Sequence, residues 1–398
     1  MHLARPHTCA GPHSRGLGVG LSLALVCGSA LAQNYTGVSV IERFGTDRTV
    51  AGDILPSGYP VFMAQDGTVL GHAKTGTTRA FNLATLSYDY RYTLQTLRWA
   101  AGNVKSAPAV KVNTSVWPTA GNAQGNWAGY ALGSTQIFQG TSLPRRGQDM
   151  PAVSINGKVT KINGVTGAYF DPIDMNAQNW VLGTRPPSLA RGDEIQAVIW
   201  KNGALTLLDS GVARKAFPEK MNDQGDVVGM VRDETWSSDG ALLSYTERAA
   251  LWVNGKLTWL GPDRSKAYSI NNQGQFLVLN MSDPGSGWEL RTTSGGVTPL
   301  QEPDNVSVGH LMINNKGEIG GLYSRYDPQT FRTSPQRPFV WKNGVMIDVY
   351  DQLDAKGIAL TDGQRNWVQG LVDFNDQGGM LINHDAPFKS TMRINVAP

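Results

Sequence analysis

Hydrophobic residues in this chain fall in short runs, and the polar breaks between the runs repeat. One break, of the form Asn-x-Gln-Gly, occurs seven times. The first copies are Met63-Ala64-Gln65-Asp66-Gly67, Gly121-Asn122-Ala123-Gln124-Gly125 and Met175-Asn176-Ala177-Gln178-Asn179. Then come Met221-Asn222-Asp223-Gln224-Gly225, Ile270-Asn271-Asn272-Gln273-Gly274, Ile313-Asn314-Asn315-Lys316-Gly317 and Phe374-Asn375-Asp376-Gln377-Gly378. An Asn side chain can hydrogen-bond the backbone two residues on, and Gly closes a turn where φ must be positive. The one departure, Asn179, is the residue type that tolerates that conformation next best. Apolar pairs such as Val69-Leu70, Val181-Leu182 and Val227-Val228 follow. The pattern predicts strand, tight turn, strand.

A second hairpin alternates with the first. Its clearest copies are Val198-Ile199-Trp200-Lys201-Asn202-Gly203, Ala250-Leu251-Trp252-Val253-Asn254-Gly255 and Phe339-Val340-Trp341-Lys342-Asn343-Gly344, with Ile155-Asn156-Gly157 and Trp99 to Gly102 as weaker ones. The region from Leu290 to Val297 fills the same slot. Asn-Gly between apolar flanks is the strongest short-range hairpin signal. Two hairpins per unit make four antiparallel strands. The turns recur every 43 to 61 residues, a spacing that fits propeller blades.

The seventh unit offers only three strands, while Tyr35 to Phe44 stands unpaired before the first. The expected fold is therefore all-β: a seven-bladed β-propeller of four-stranded antiparallel blades, closed by an N-terminal strand that completes the last blade. Closure removes two sheet edges that would otherwise invite aggregation. The strand before each Asn-x-Gln-Gly turn is then innermost, and the strand after each Asn-Gly turn outermost.

Composition adds the compartment. Arg5 and Arg15 precede a charge-free apolar stretch, Leu17 to Ala32, that ends in Ala30-Leu31-Ala32. This is the pattern of a secretory signal peptide over residues 1–32, leaving one propeller domain over 33–398, exported to the periplasm or secreted. The two cysteines, Cys9 and Cys27, both fall in the leader. The domain is thus expected without disulfides or thiolate chemistry. Without Arg5 and Arg15 the 35 basic residues become 33 against 32 acidic, a balance that argues against nucleic acid. No later apolar segment reaches spanning length, and the expected form is a monomer without cofactor.

The alternating phrases resemble the extracellular HAF-repeat family of exported bacterial proteins, in which a turn like Ile-Asn-Asn-x-Gly is followed by a Trp-x-Asn-Gly hairpin. The resemblance implies an exported, propeller-like protein. The chain departs from it at the namesake His-Ala-Phe, where it has Gln196-Ala197-Val198, Arg248-Ala249-Ala250 and Arg337-Pro338-Phe339.

Chemistry is expected on the face opposite the short turns, where the long connections gather, since loops on a rigid scaffold carry binding residues. Four connections there are rich in rings and basic groups: Tyr88-Asp89-Tyr90-Arg91-Tyr92; Trp236 with Tyr245; Tyr323 to Tyr326 with Phe331 and Arg332; and Asp362 to Trp367. Trp117 and Tyr169-Phe170 are expected in connections on the same face. Tyr88, Tyr90, Arg91, Tyr92, Trp236, Tyr326 and Arg332 are the ligand-binding candidates, suited to a glycan, peptide or envelope protein. The competing role for such rings is to anchor the loops. Trp99, Trp200, Trp252 and Trp341 recur at one strand position and are expected to pack between blades. His72, His310 and His384 all fall toward the long-connection face, but His72 and His384 should point to opposite sheet faces, so no metal site is expected. The turns offer too few oxygens for calcium. No Gly-x-Ser-x-Gly, His-Glu-x-x-His or phosphate loop occurs. The expectation is a non-enzymatic binding or scaffold module. The alternative is a carbohydrate-active hydrolase or lyase drawing carboxylates such as Asp174, Asp233, Glu234 and Asp373 from several blades.

Overall fold

The computed structural model describes residues 35–41, 46–48, 54–56, 59–82, 87–100, 106–107, 109–111, 116–131, 136–138, 150–162, 170–185, 195–211, 215–239, 241–282, 287–384 and 391–396. The residues of the leader expected at 1–32 lie outside this set.

Seven antiparallel sheets follow one another as blades. Blade 4 is the most regular, with strands Lys215–Met221, Val227–Trp236, Leu242–Val253 and Lys256–Trp259 paired in chain order. The innermost strands of the other blades are Tyr59–Met63, Val116–Gly121, Asp171–Met175, Ser265–Ile270, Val306–Ile313 and Val368–Phe374. Every innermost strand ends in its Asn-x-Gln-Gly turn. The closing residues take the expected left-handed backbone, from Gly67 at φ 83° to Gly378 at 86°, and Asn179 does so at 62°. Asn202, Asn254 and Asn343 and their following glycines are likewise left-handed, as a two-residue hairpin turn requires.

Closure is as expected. Blade 7 has three strands from the C-terminal segment, Val368–Phe374, Met380–His384 and Thr391–Val396, and Tyr35–Ile41 pairs antiparallel with the last. Ser106–Ala107 then adds in parallel outside Tyr35–Ile41. The seam to blade 1 is held by Arg393, whose side chain donates to Gly67 O at 2.7 Å, Ala100 O at 2.6 Å and Ser39 Oγ at 3.2 Å.

The core is a chain of clusters between neighbouring blades. Trp252 packs with Leu182, Ile199 and Leu208 of blade 3 and donates its indole N–H to Asp209 O at 2.5 Å. Trp200 packs on Ala128 and Val153 of blade 2, Trp341 on Leu277 and Trp288 of blade 5, and Trp99 on Leu381 of blade 7. All four indoles are buried, as their recurrence at one strand position predicts.

Three features differ from expectation. The long connections of blades 1, 4 and 6 are extensions of the blade hairpins. They pair from Val69–Asn82 to Ser87–Trp99, along Val227–Trp236 and Leu242–Val253, and from Ile319–Asp327 to Arg332–Thr333. Their β-branched and aromatic composition favours strands, so the hairpins continue past the blade. The link between blades 6 and 7 is helical. Asp348 caps Val349–Ala355 by accepting from Asp351 N, and Thr361 with Gln364 forms a capping box on Asp362–Arg365. Phe170 is core rather than surface, packed with Met175 and Val181, and Trp117 lies in the innermost strand of blade 2. Tyr169 lies outside the described residues.

Candidate functional site

The innermost strands are not regular. Each carries a bulge near the third residue before the turn position held by Asn, leaving Val61, Thr119, Ile173, Glu219, Tyr268 and Val372 without a ladder partner. In blade 6 the bulge takes two residues, His310 and Leu311, and His310 is left-handed at φ 54°. A bulge re-aims side chains and frees backbone groups. Pro60, Pro118, Pro172 and Pro218 stand directly before it in blades 1 to 4, where a residue without an N–H is tolerated. That proline was the sequence signal for the bulges.

Beyond the bulge, the next position faces the central channel and the one after it faces the blade core. Phe62, Asp174, Lys220, Ser269, Met312 and Asp373 line the channel. Three of them accept a hydrogen bond from the neighbouring blade. Asp174 Oδ2 takes Met221 N at 2.9 Å, Ser269 Oγ takes Ile313 N at 3.1 Å, and Asp373 Oδ2 takes Met63 N at 2.7 Å. Lys220 Nζ lies 3.0 Å from Asp174 Oδ1, and the attraction of Asp174 raises the lysine pKa. Burial pushes the Asp373 carboxyl above the ordinary carboxylate range, while Lys220 pulls it back.

The turn asparagines form a second ring at the channel end. Each Oδ1 accepts from its own turn, as Asn222 does from Gln224 N and Asp226 N. Each Nδ2 reaches the next blade: Asn122 to Asn176 O, Asn176 to Asn222 O, Asn222 to Asn271 O, Asn271 to Asn314 O and Asn314 to Asn375 O, at 2.9–3.3 Å. The turn role was expected from the sequence. The donation between blades was not, and a single repeat could not have revealed it. Both rings knit blades together.

A larger opening lies on the other face, between blades 5 and 6. This cleft has a volume of about 630 Å³ and reaches the channel wall at Lys220 and Met312. The bulge residues of blades 4 to 6 (Glu219, Tyr268, His310 and Leu311) all line it. Some of its polar groups are already engaged. Glu219 pairs with Lys266 at 2.6 Å, Lys266 lies over the Tyr268 ring, and the Trp288 indole N–H donates to Val308 O. Others have no side-chain hydrogen bond to any described residue: Ser307, His310, Ser324 and Gln336. The His310 ring rests against Gly370 of blade 7, where an added Cβ would lie 3.7 Å from its Cε1. A left-handed backbone at a bulky residue costs of order 1 kcal/mol and marks a site held by its surroundings.

The residues singled out from sequence are distributed as follows. Tyr88, Tyr90, Arg91 and Tyr92 lie on the strand Ser87–Trp99, and Tyr90, Arg91 and Tyr92 pair on their other side with Gln136–Phe138; their side chains are outside the described set. Trp236 ends a blade 4 strand, half-buried, with its indole N–H on Glu234 Oε2 at 3.2 Å. Tyr326 and Arg332 lie exposed on the blade 6 extension, two residues of one hairpin. Of the carboxylates, Asp174 and Asp373 do meet in the channel field, but every oxygen of both is engaged by an amide or by Lys220. Glu234 is buried against Lys215 at 2.8 Å and Asp233 is exposed on the blade 4 hairpin. At the positions of the departed histidine motif, Arg248 pairs with Asp263 and Arg337 with Asp348. Among the described residues no three His, Cys, Asp or Glu side chains group as metal ligands, and no helix is long and apolar enough to cross a membrane. His384 is buried with its Nε2 3.0 Å from Gln364 O.

No protein-family model and no curated protein sequence matches the chain. Several solved structures are similar in fold at low identity. The β-propeller domain of the trilobed protease from Pyrococcus furiosus is 9% identical, with 85% of this chain and 93% of that chain covered and a TM-score of 0.48. TolB from Acinetobacter baumannii is 8% identical, with 82% and 79% covered and a TM-score of 0.36. Pyrococcus horikoshii acylaminoacyl peptidase is 11% identical, with 82% covered but only 49% of that longer chain, and a TM-score of 0.46.

Proposed function

We propose that this chain is an exported, non-enzymatic propeller that binds a glycan, a peptide or an envelope protein on its long-connection face. The cleft between blades 5 and 6 is the seat, and the extended hairpin of blade 6, which continues the strand bearing Ser324, carries Tyr326 and Arg332 onward from it. The observation that carries this reading is the convergence of Ser307, His310, Ser324 and Gln336, whose side chains hydrogen-bond no described residue, on a cleft of about 630 Å³. That volume lies in the range of ligand pockets, and a few convergent polar groups over an apolar wall are their usual lining. Export rests on the leader pattern and on the resemblance to HAF-repeat proteins.

A glycan and peptide array on the protein tests it. Ser324→Leu should abolish binding of any retained ligand, and the pair Tyr326→Ala and Arg332→Ala should weaken it about tenfold or more, as aromatic and Arg anchors do. A ligand bound equally well by all three proteins would move the site elsewhere.

A further inference from the structure

Glu302 lies in the connection between blades 5 and 6, half-buried in the cleft wall. Its Oε2 accepts from Val308 N at 3.3 Å, and among the described residues it has no ion-pair partner. The other charged residues described in the cleft lining are paired: Glu219 with Lys266 and Lys220 with Asp174. Among the described residues lining the cleft, Glu302 is thus the one carboxylate without an ion-pair partner. Burial raises its pKa, opposed only by the Val308 hydrogen bond. A desolvated, unpaired carboxylate is unfavourable until a cation reaches it. The same cleft is lined by Leu279, Leu311, Met312 and Leu371 and by Ser307 and Ser324.

We infer that the cleft takes a ligand bearing one organic ammonium group, whose positive end sits on Glu302 and whose body lies along the apolar wall. This rests on the cleft being the ligand seat. An ammonium donates to a carboxylate by a charge-assisted bond that an acetylated nitrogen cannot replace. An anionic ligand would meet Glu302 with like charge.

Two sources of the group can be separated. Glucosamine is titrated against N-acetylglucosamine, and Nα-acetyl-lysine amide against its Nε-acetylated form, with binding followed by NMR at millimolar concentrations. At least one amine should bind about tenfold tighter than its acetylated twin, and the pair that shows the preference names the source. Glu302→Gln should erase the preference without lowering the melting temperature, since it removes a desolvated charge. Equal binding of amine and acetylated forms in both pairs, binding of neither, or a preference that survives Glu302→Gln would overturn the inference. A ligand from the array that needs Ser324 but shows no ammonium preference would leave the cleft as the seat and remove only this assignment.

Discussion

The Phe62 ring of blade 1 occupies the space that a side chain on Gly121 of blade 2 would fill: a Cβ built on Gly121 would lie 2.0 Å from Phe62 Cζ. In the other six blades the residue before the turn is Met63, Met175, Met221, Ile270, Ile313 or Phe374. Blade 2 alone has glycine there, and blade 1 alone has an aromatic ring at the preceding, channel-lining position. The two exceptions are one packing solution, with volume moved across the seam from one strand to its neighbour.

The pair should therefore be coupled. Gly121→Ala overpacks the seam and is expected to cost about 1–3 kcal/mol. Phe62→Ala should cost roughly 3–5 kcal/mol, as truncation of a buried aromatic does. The double variant should be more stable than the sum predicts by about 1 kcal/mol or more, because the added methyl enters space the ring has left. Urea unfolding of the four proteins measures this, and strict additivity would mean that the two positions share no volume.

Such pairs show where the sequence was legible. The repeat is periodic, so each turn, hairpin and inter-blade tryptophan could be placed by comparing copies, and the orphan strand from Tyr35 could be matched to the missing strand of blade 7. Departures from the repeat, such as Gly121, were visible as exceptions but carried no meaning until their neighbour across the seam was known. The cleft was harder still. It is lined by bulge residues, and a bulge changes which face a side chain takes without changing its residue type. Alternation alone therefore does not say which way Glu219, Tyr268 and His310 point. Aromatic content drew attention instead to the extended hairpins of blades 1, 4 and 6.

The closing seam depends on a buried guanidinium. Arg393 is fully buried, and burial lowers its pKa from the ordinary value, though not enough to neutralise an arginine. Its value lies in the carbonyls of Gly67 and Ala100 that it satisfies. Arg393→Met keeps most of the volume and removes the donors, and should cost about 2 kcal/mol or more. Arg248→Met, which breaks the exposed pair with Asp263, should cost under about 1 kcal/mol. Denaturant midpoints that rank the two the other way would show that Arg393 is incidental to closure.

The two ends of one turn amide can be tested apart. Asn222→Asp retains the Oδ1 that accepts from Gln224 N and Asp226 N, but it loses the Nδ2 that donates to Asn271 O and to Asp226 Oδ2. It also sets a second carboxylate beside Asp226. A loss of about 1–3 kcal/mol is expected at neutral pH, recovered in part as the new acid is protonated. If the asparagine serves only its own turn, the substitution should be nearly silent in thermal melts, because an aspartate caps such turns equally well.

Asp373 gives the fold a pH dependence of unusual sign. Its carboxyl titrates above the ordinary range in the folded protein because the channel wall desolvates it. The folded state therefore holds this proton more tightly than the unfolded chain does. The stability this contributes is complete below the unfolded carboxylate pKa of about 4, and is lost as pH rises through the folded value. Asp373→Asn fixes the group in a neutral form and keeps an oxygen to accept from Met63 N. Relative to the parent, the variant should gain melting temperature over the interval above about pH 4, where the unfolded carboxylate ionises, and the gain should level off once the folded Asp373 is ionised. Lys220→Met removes the attraction that partly lowers the Asp373 pKa, so in that background the gain should extend to higher pH. A difference between Asp373→Asn and parent that is flat over this interval would place the charge of Asp373 in a solvated environment, outside the wall that the inter-blade hydrogen bonds define.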